Sequence, residues 1–121
     1  MVHLLLNEQI IQMENRRDKI ILDGRIKLIT ELSEFRMSLW INGFGLNNAL
    51  TGEEIIPLIS FFNLENIEEN ENILKIKFRI YPNGSKDYEV EINPFSKTFK
   101  YQNKEYHTND FYKTFTGNEY E

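Results

Sequence analysis

Histidines and carboxylates are the side chains of this sequence that could carry out acid–base or metal chemistry. The chain has two histidines, His3 and His107, and no cysteine, which excludes thiolate catalysis and Cys-ligated zinc. The two histidines have no metal-ligand spacing with each other or with carboxylates. We interpret His107 as a polar residue at the end of an edge strand. The sequence therefore predicts no metal site.

Three acidic residues alternate along one predicted strand: Asp87, Glu89 and Glu91. Alternation places them on one face, where crowded carboxylates could bind a metal or raise a pKa. The preceding predicted strand carries three basic residues in the matching places: Lys75, Lys77 and Arg79. Opposite charges across a strand pair contribute about 0.2–1 kcal/mol each. We therefore interpret this group as a structural charge pairing.

Gly43-Phe44-Gly45 is the nearest approach to a phosphate-binding loop. It lacks a third glycine, a preceding βα unit and a lysine at Walker spacing. No Gly-x-Ser-x-Gly nucleophile motif occurs either. Because these motifs are incomplete or absent, the sequence gives no support for an enzyme or a cofactor, and we predict a non-enzymatic protein.

Surface recognition is the function that the remaining residues favour. The chain has six tyrosines, and tyrosine is enriched at interfaces because it buries a large area at low entropy cost. A stretch predicted to be an exposed loop, 63–72, is rich in glutamate. The candidate partner-binding residues are Glu65, Glu68, Glu69, Glu71, Tyr101, Tyr106 and Tyr112. The acidic loop would meet a basic partner, and complementary charge would speed that association.

A small-molecule site is the second hypothesis. Aromatic stacking with an arginine on a phosphate would bind a nucleotide signal, in a pocket at a homodimer seam or within one chain. The residues suited to that chemistry are Arg16, Arg17, Arg25, Arg36, Trp40, Phe44, Tyr81 and Tyr88. A structural subunit of a larger assembly, built by addition of strands at open edges, is a further alternative.

Length and charge indicate the number of domains and the class of partner. The 121 residues suit one domain, 1–121, with a loose tail over 116–121. The net charge of −5 argues against direct nucleic-acid binding, and we expect neither a signal peptide nor a membrane span, hence a cytoplasmic protein. We expect another protein as the partner, with the chain acting as a toxin-immunity protein or a phage anti-defence inhibitor.

Alternating apolar residues predict several antiparallel hairpins. The clearest joins 74–80 to 88–92 through Pro82-Asn83-Gly84-Ser85, and a second joins 98–101 to 105–107. A third joins 19–22 to 25–28 through Asp23-Gly24. Residues 35–41 fit a strand, although a helix through 28–39 also fits, and 42–48 is expected to be a loop. Residues 1–14 fit either one helix face or two short strands.

The main helix is predicted over 52–62. Thr51 and Glu54 have the spacing of a capping box, and Ile55, Leu58 and Ile59 follow at helical intervals, although Pro57 would disturb the first turns. Good capping residues at 108–110 predict a short C-terminal helix. The expected fold is therefore α+β: an antiparallel sheet of five to seven strands, with the 52–62 helix packed on one face.

Overall fold

Strands make up most of the chain in the computed structural model, which describes residues 15–35, 39–82 and 86–120. The first sheet consists, in spatial order, of β1 (Arg16–Ile21), β2 (Ile26–Phe35), β3 (Leu39–Asn48) and β4 (Glu54–Ile59). The second consists of β5 (Phe62–Asn70), β6 (Ile73–Ile80), β7 (Asp87–Asn93), β8 (Thr98–Tyr101) and β9 (Lys104–His107). Neighbouring strands are antiparallel throughout.

The predicted antiparallel pairing is confirmed, but it forms two sheets of four and five strands instead of one. All three predicted hairpins are present, as the pairs β1–β2, β6–β7 and β8–β9. In the first of these, Asp23 and Gly24 have φ values of 56° and 82°, the left-handed conformations that this dipeptide favours. The prediction for 1–14 lies outside the described residues.

The prediction of one strand through 35–41 is wrong, because Phe35 ends β2 and Leu39 begins β3, and these two residues pair with each other. Residues 36–38 lie outside the described residues. The expected loop over 42–48 is also wrong. Residues 39–48 form one continuous strand, β3. Gly43 and Gly45 indicated a loop, yet they are needed for close packing. A Cβ atom would lie 2.7 Å from Ser60 Cα at Gly43, and 2.7 Å from Leu58 N at Gly45. The glycines let the chain around β4 lie directly against β3.

The predicted helix over 52–62 is also wrong. This stretch contains β4 and the start of β5. Thr51 forms a local turn bond, in which its Oγ1 accepts from the backbone N–H of Glu53 at 3.2 Å, so the capping box does not form. Pro57 is tolerated because β4 is an edge strand with an irregular register to β3. The described part of the chain is therefore mostly β, and 52–62 does not form the predicted central helix.

The acidic stretch 63–72, predicted to be a loop, is instead mostly strand β5, paired with β6. A register shift between Leu64 and Asn66 interrupts the alternation of apolar residues that would have predicted a strand. Only Glu71 and Asn72 form the turn, and Glu71 has a φ of 56°. The many glutamates of this stretch indicated a loop, but β5 is an edge strand with one exposed face, which can carry charged residues.

Both sheets enclose a single hydrophobic core. Its largest members are five fully buried phenylalanines: Phe44, Phe62, Phe78, Phe99 and Phe111. The rings of Phe62 and Phe78 stack at 5.1 Å between centroids, and Phe111 lies 5.6 Å from Phe78. Aromatic side chains therefore fill the space between the sheets.

The predicted short C-terminal helix is confirmed. A 3₁₀ turn, Thr108–Asp110, leads into α1 (Phe111–Thr116), which inserts Phe111 into the core. The side-chain cap differs from the prediction, because His107 Nδ1 accepts the backbone N–H of Asn109 at 3.1 Å. Within the described ranges, neither this helix nor the 3₁₀ turn is long and apolar enough to cross a membrane.

Candidate functional site

The acidic residues predicted to contact a partner are largely engaged within the chain. Glu65 lies 3.4 Å from the Arg79 guanidinium, and Glu69 Oε1 accepts the backbone N–H of Leu22 at 2.8 Å. Glu68 stands directly opposite Lys75 in the sheet. These three carboxylates therefore stabilise β5 and its junction with the first sheet.

A row of alternating charge crosses all five strands of the second sheet. Its members are paired in register, in the order Glu68, Lys75, Glu91, Lys100 and Glu105. The neighbouring Arg79 Nη2 lies 2.8 Å from Asp87 Oδ1, and this hydrogen bond lowers the pKa of the Asp87 carboxyl. The predicted pairing of Lys75, Lys77 and Arg79 with the acids of β7 is confirmed. This face is neutralised by its own charges.

The three tyrosines of the predicted partner surface are half-buried at the edge of the core. Tyr106 stacks on Phe99 at 5.1 Å, and Tyr101 packs against Phe115 at 5.0 Å. Tyr112 belongs to a separate group of rings described below. Tyr101 and Tyr106 thus act mainly as core-edge residues.

The structure does not bring the residues of the predicted nucleotide site together. Phe44 is fully buried, and Tyr88 stacks on Phe78 at 5.5 Å. Arg16 pairs with Asp18 at 3.2 Å on the exposed edge strand. The other members lie apart in the fold or outside the description: Arg17 is exposed on β1, Trp40 is exposed on β3, Tyr81 is half-buried after β6, and Arg36 is outside the described residues.

Arg25, the remaining arginine of the predicted nucleotide site, contacts residues of three turns. Its Nε donates to Leu22 O at 2.9 Å within the β1–β2 turn, and its Nη2 donates to Asn72 Oδ1 at 3.0 Å in the β5–β6 turn. Its guanidinium carbon also lies 4.3 Å from the centroid of the Phe95 ring, in the β7–β8 turn. The fork of donors and the flat face of a guanidinium allow these contacts at once.

Two turns, 48–53 and 94–97, have the same pattern of side-chain hydrogen bonds. The side-chain oxygen of Asn48 accepts the backbone N–H groups of Leu50 and Thr51, at 2.9 and 3.0 Å. In the same way, Asn93 accepts those of Phe95 and Ser96, at 3.0 and 3.1 Å. Each asparagine ends a strand, and each turn presents an apolar side chain two residues later. Leu50 is 83% exposed and Phe95 is 39% exposed.

We name this surface the four-turn end: the turns at 22–25, 48–53, 71–72 and 94–97. Cross-links between the turns hold it together. The backbone N–H of Ala49 donates to Arg25 O at 2.9 Å, and Lys97 Nζ lies 2.6 Å from Glu53 Oε2. These contacts join turns of both sheets, so the backbone segments that carry the two exposed apolar side chains are held in a defined arrangement.

The four-turn end has an acidic rim. Asp23, Glu54 and Glu71 are exposed there, and none of them forms an ion pair within the described ranges. Lys97 is paired with Glu53, whereas Arg25 contacts only neutral groups and keeps its positive charge. The four turns and Glu54 carry four acidic and two basic side chains, so this end has an excess of negative charge around two apolar side chains.

Sequence reasoning identified Glu71 and Arg25 at this end but missed Leu50 and Phe95. The signal that could have found them is the repeated order of strand, asparagine, one residue, then a large apolar residue: Asn48-Ala49-Leu50 and Asn93-Pro94-Phe95. Among the residues that the structure describes, no group of three or more His, Asp or Glu side chains could hold a metal ion.

The chain was compared with family models, with curated proteins and with solved structures, and none of the three comparisons found a match.

Proposed function

We propose that this protein is a non-enzymatic binding protein that contacts a partner protein through its four-turn end. The observation that carries the proposal is Leu50, which is 83% exposed on a turn built by side-chain hydrogen bonds. Covering this apolar side chain with a partner would stabilise a complex by about 25 cal/mol per Å² of apolar surface removed from water.

Preorganisation supports a binding role. A turn that is already ordered loses little conformational entropy when it docks, and this lowers the cost of association. Both Asn-closed turns meet this condition, and the Lys97–Glu53 ion pair connects them. Leu50 and Phe95 would therefore enter a partner's apolar pocket with little rearrangement of the backbone.

The acidic rim indicates the chemistry of the partner. Charged groups around an interface select a complementary potential and raise the association rate. Asp23, Glu54 and Glu71 would face basic residues around the partner's pocket. A toxin-immunity protein or an anti-defence inhibitor that covers the basic groove of a nuclease has this form. We therefore propose the four-turn end as the acidic contact surface, in place of the glutamates of β5, which are engaged within the chain.

A photo-crosslinking amino acid placed at Leu50 tests this proposal in the native host. The matched control is the same amino acid at Leu32, which is 41% exposed near the opposite end of β2. We expect one defined protein adduct from position 50, also obtained from position 95, and no such adduct from position 32. Equal adducts from positions 50 and 32, or none from position 50 while another surface crosslinks, would overturn the proposed site.

A further inference from the structure

Three aromatic side chains line an open groove at the end of the molecule opposite the four-turn end. Phe61 lies in the turn between β4 and β5, Tyr112 is on α1, and Tyr120 follows the helix. Asn118 and Glu119 complete the lining of this groove, which has a volume of about 540 Å³. We name it the aromatic groove.

The rings of the aromatic groove stand nearly perpendicular to one another. Phe61 and Tyr112 have centroids 5.8 Å apart and planes at 79°, and Tyr112 and Tyr120 are 5.2 Å apart at 76°. These distances and angles place the two rings of each pair in edge contact. A group seated in the groove would meet the sides of the rings that these contacts leave exposed.

Each wall is fixed by a contact outside the groove. Tyr112 stacks one face on the buried Phe62, with centroids 5.9 Å apart and planes 11° from parallel. Phe61 packs edge-on against the same ring at 5.4 Å. The hydroxyl of Tyr120 donates to Leu58 O at 3.3 Å. The walls are therefore held in place by the core and by β4.

We propose that the aromatic groove binds a quaternary or alkylated ammonium group. The faces of aromatic rings attract cations within about 6 Å of their centroids, and sets of aromatic rings are suited to quaternary ammonium ligands. An alkylated ammonium is bulky and weakly hydrated, so it can contact several walls without losing strong hydrogen bonds to water. The group could be carried by a small molecule or by a methylated lysine of a protein.

Charge at the rim of the groove does not oppose this ligand class. Glu119 is an exposed carboxylate of the lining, and it lies 3.0 Å from Lys113 Nζ. The pair is neutral overall, so Lys113 does not repel a cation as a free ammonium would. Release of Glu119 by substitution of Lys113 would leave a net negative rim.

Choline and its uncharged carbon analogue, 3,3-dimethylbutan-1-ol, provide a test that isolates charge from shape. We expect choline to shift the NMR signals of Phe61, Tyr112 and Tyr120 saturably, and to bind at least five-fold more tightly than the uncharged analogue. Peptides with trimethyllysine or unmodified lysine, titrated in parallel, distinguish a protein-borne group from a small molecule. Equal binding of choline and its analogue, or no saturable shift with any methylated cation, would overturn the proposal.

Ring substitutions separate the π faces from the hydroxyl group. Tyr120→Leu should weaken choline binding about five-fold, whereas Tyr120→Phe keeps the ring and should retain most of the affinity. Lys113→Gln should strengthen binding because it frees Glu119. Trp40→Leu, an exposed aromatic outside the groove, is the control. Wild-type affinity in Tyr120→Leu, with the fold intact by circular dichroism, would contradict the assignment.

Discussion

The guanidinium carbon of Arg25 lies 4.3 Å from the centroid of the Phe95 ring, while its Nη2 donates to Asn72 Oδ1 at 3.0 Å. One side chain from the first sheet thus contacts two turns of the second sheet. These contacts hold one of the two exposed apolar residues of the four-turn end in place. The arrangement of the proposed binding surface therefore depends on a residue that is itself only half-exposed.

Arg25→Gln should destabilise the protein by about 1–2 kcal/mol, because it removes a charged hydrogen-bond donor and the cation–π contact. Arg25→Lys should recover only part of the loss, since an ammonium cannot donate in two directions and also cover the ring. Urea denaturation measures both changes. Arg17→Gln is the control, since the exposed Arg17 side chain makes no hydrogen bond within the described ranges. Equal stabilities for the Arg25 and Arg17 variants would contradict this role.

Gly43→Ala and Gly45→Ala should each destabilise the fold by about 3 kcal/mol or more, because the new Cβ would lie 2.7 Å from backbone atoms that cannot move independently. The matched control is Gly52→Ala. Gly52 has a φ of 79° and open space around its Cβ position, so that change should cost only about 1 kcal/mol of backbone strain. Thermal unfolding compares the three variants. If Gly43→Ala unfolds at the same temperature as Gly52→Ala, the close contact with Ser60 does not exist.

His107 should stabilise, through its side-chain cap, the 3₁₀ turn that leads into the C-terminal helix. His107→Ala removes the acceptor for the Asn109 N–H and should cost about 1 kcal/mol, whereas His107→Asn should keep most of the stability. Because Phe111 packs in the core, near-UV circular dichroism of the aromatic residues reports on the docking of the helix. An alanine variant as stable as the asparagine variant would show that the cap has no energetic effect.

The Asp87–Arg79 hydrogen bond should make stability dependent on pH in the acid range. The bond lowers the pKa of Asp87 in the folded state, so the folded state binds its proton less readily than the unfolded chain does. The contribution is complete above the unfolded pKa of about 3.9 and is lost as the pH falls through the lower folded value. Melting temperatures of wild type and Asp87→Asn between pH 2 and 6 test this.

Asp87→Asn should lower stability at pH 6 and flatten its decline towards pH 2, and Arg79→Gln should do the same because it removes the other partner. A profile for Asp87→Asn that runs parallel to wild type through the acid range would contradict the assignment.

The second sheet was more predictable from sequence than the first. The β6–β7 hairpin has strict alternation and complementary charges, and its register sets the three basic residues opposite the three acidic ones as predicted, with Lys75 opposite Glu91. Local pattern suffices there because both strands have one buried face and one solvated face. The β8–β9 and β1–β2 hairpins were predicted for the same reason, helped by distinctive turn residues.

The errors arose where tertiary contacts override local preference. Gly43 and Gly45 look like loop residues, but their lack of a side chain serves the contact between β3 and the chain around β4. The 52–62 segment has helical spacing of its apolar residues, yet Ile56 and Ile59 pair with Leu46 and Phe44 in a sheet. Neither fact can be deduced from a window of neighbouring residues.

The candidate site was predicted only in part for a related reason. Residue type indicated acids and tyrosines, but Glu65 and Glu69 are engaged within the chain and Tyr106 packs on Phe99. The sequence alone does not identify Leu50 and Phe95 as candidates, because only a structure shows which apolar residues are exposed. The asparagine-closed turns that present them are the pattern to seek in other sequences.

The affinity of the crosslinked partner for Leu50→Ser, compared with Leu32→Ser, tests the central claim most directly. Both variants remove one exposed leucine from the same chain, so non-specific loss of apolar surface is matched. We predict that Leu50→Ser weakens binding at least ten-fold in calorimetric titration, as expected for an interface anchor that costs about 1.4 kcal/mol or more, while Leu32→Ser binds like wild type. Equal affinities for the two variants, both folded, would contradict binding through the four-turn end.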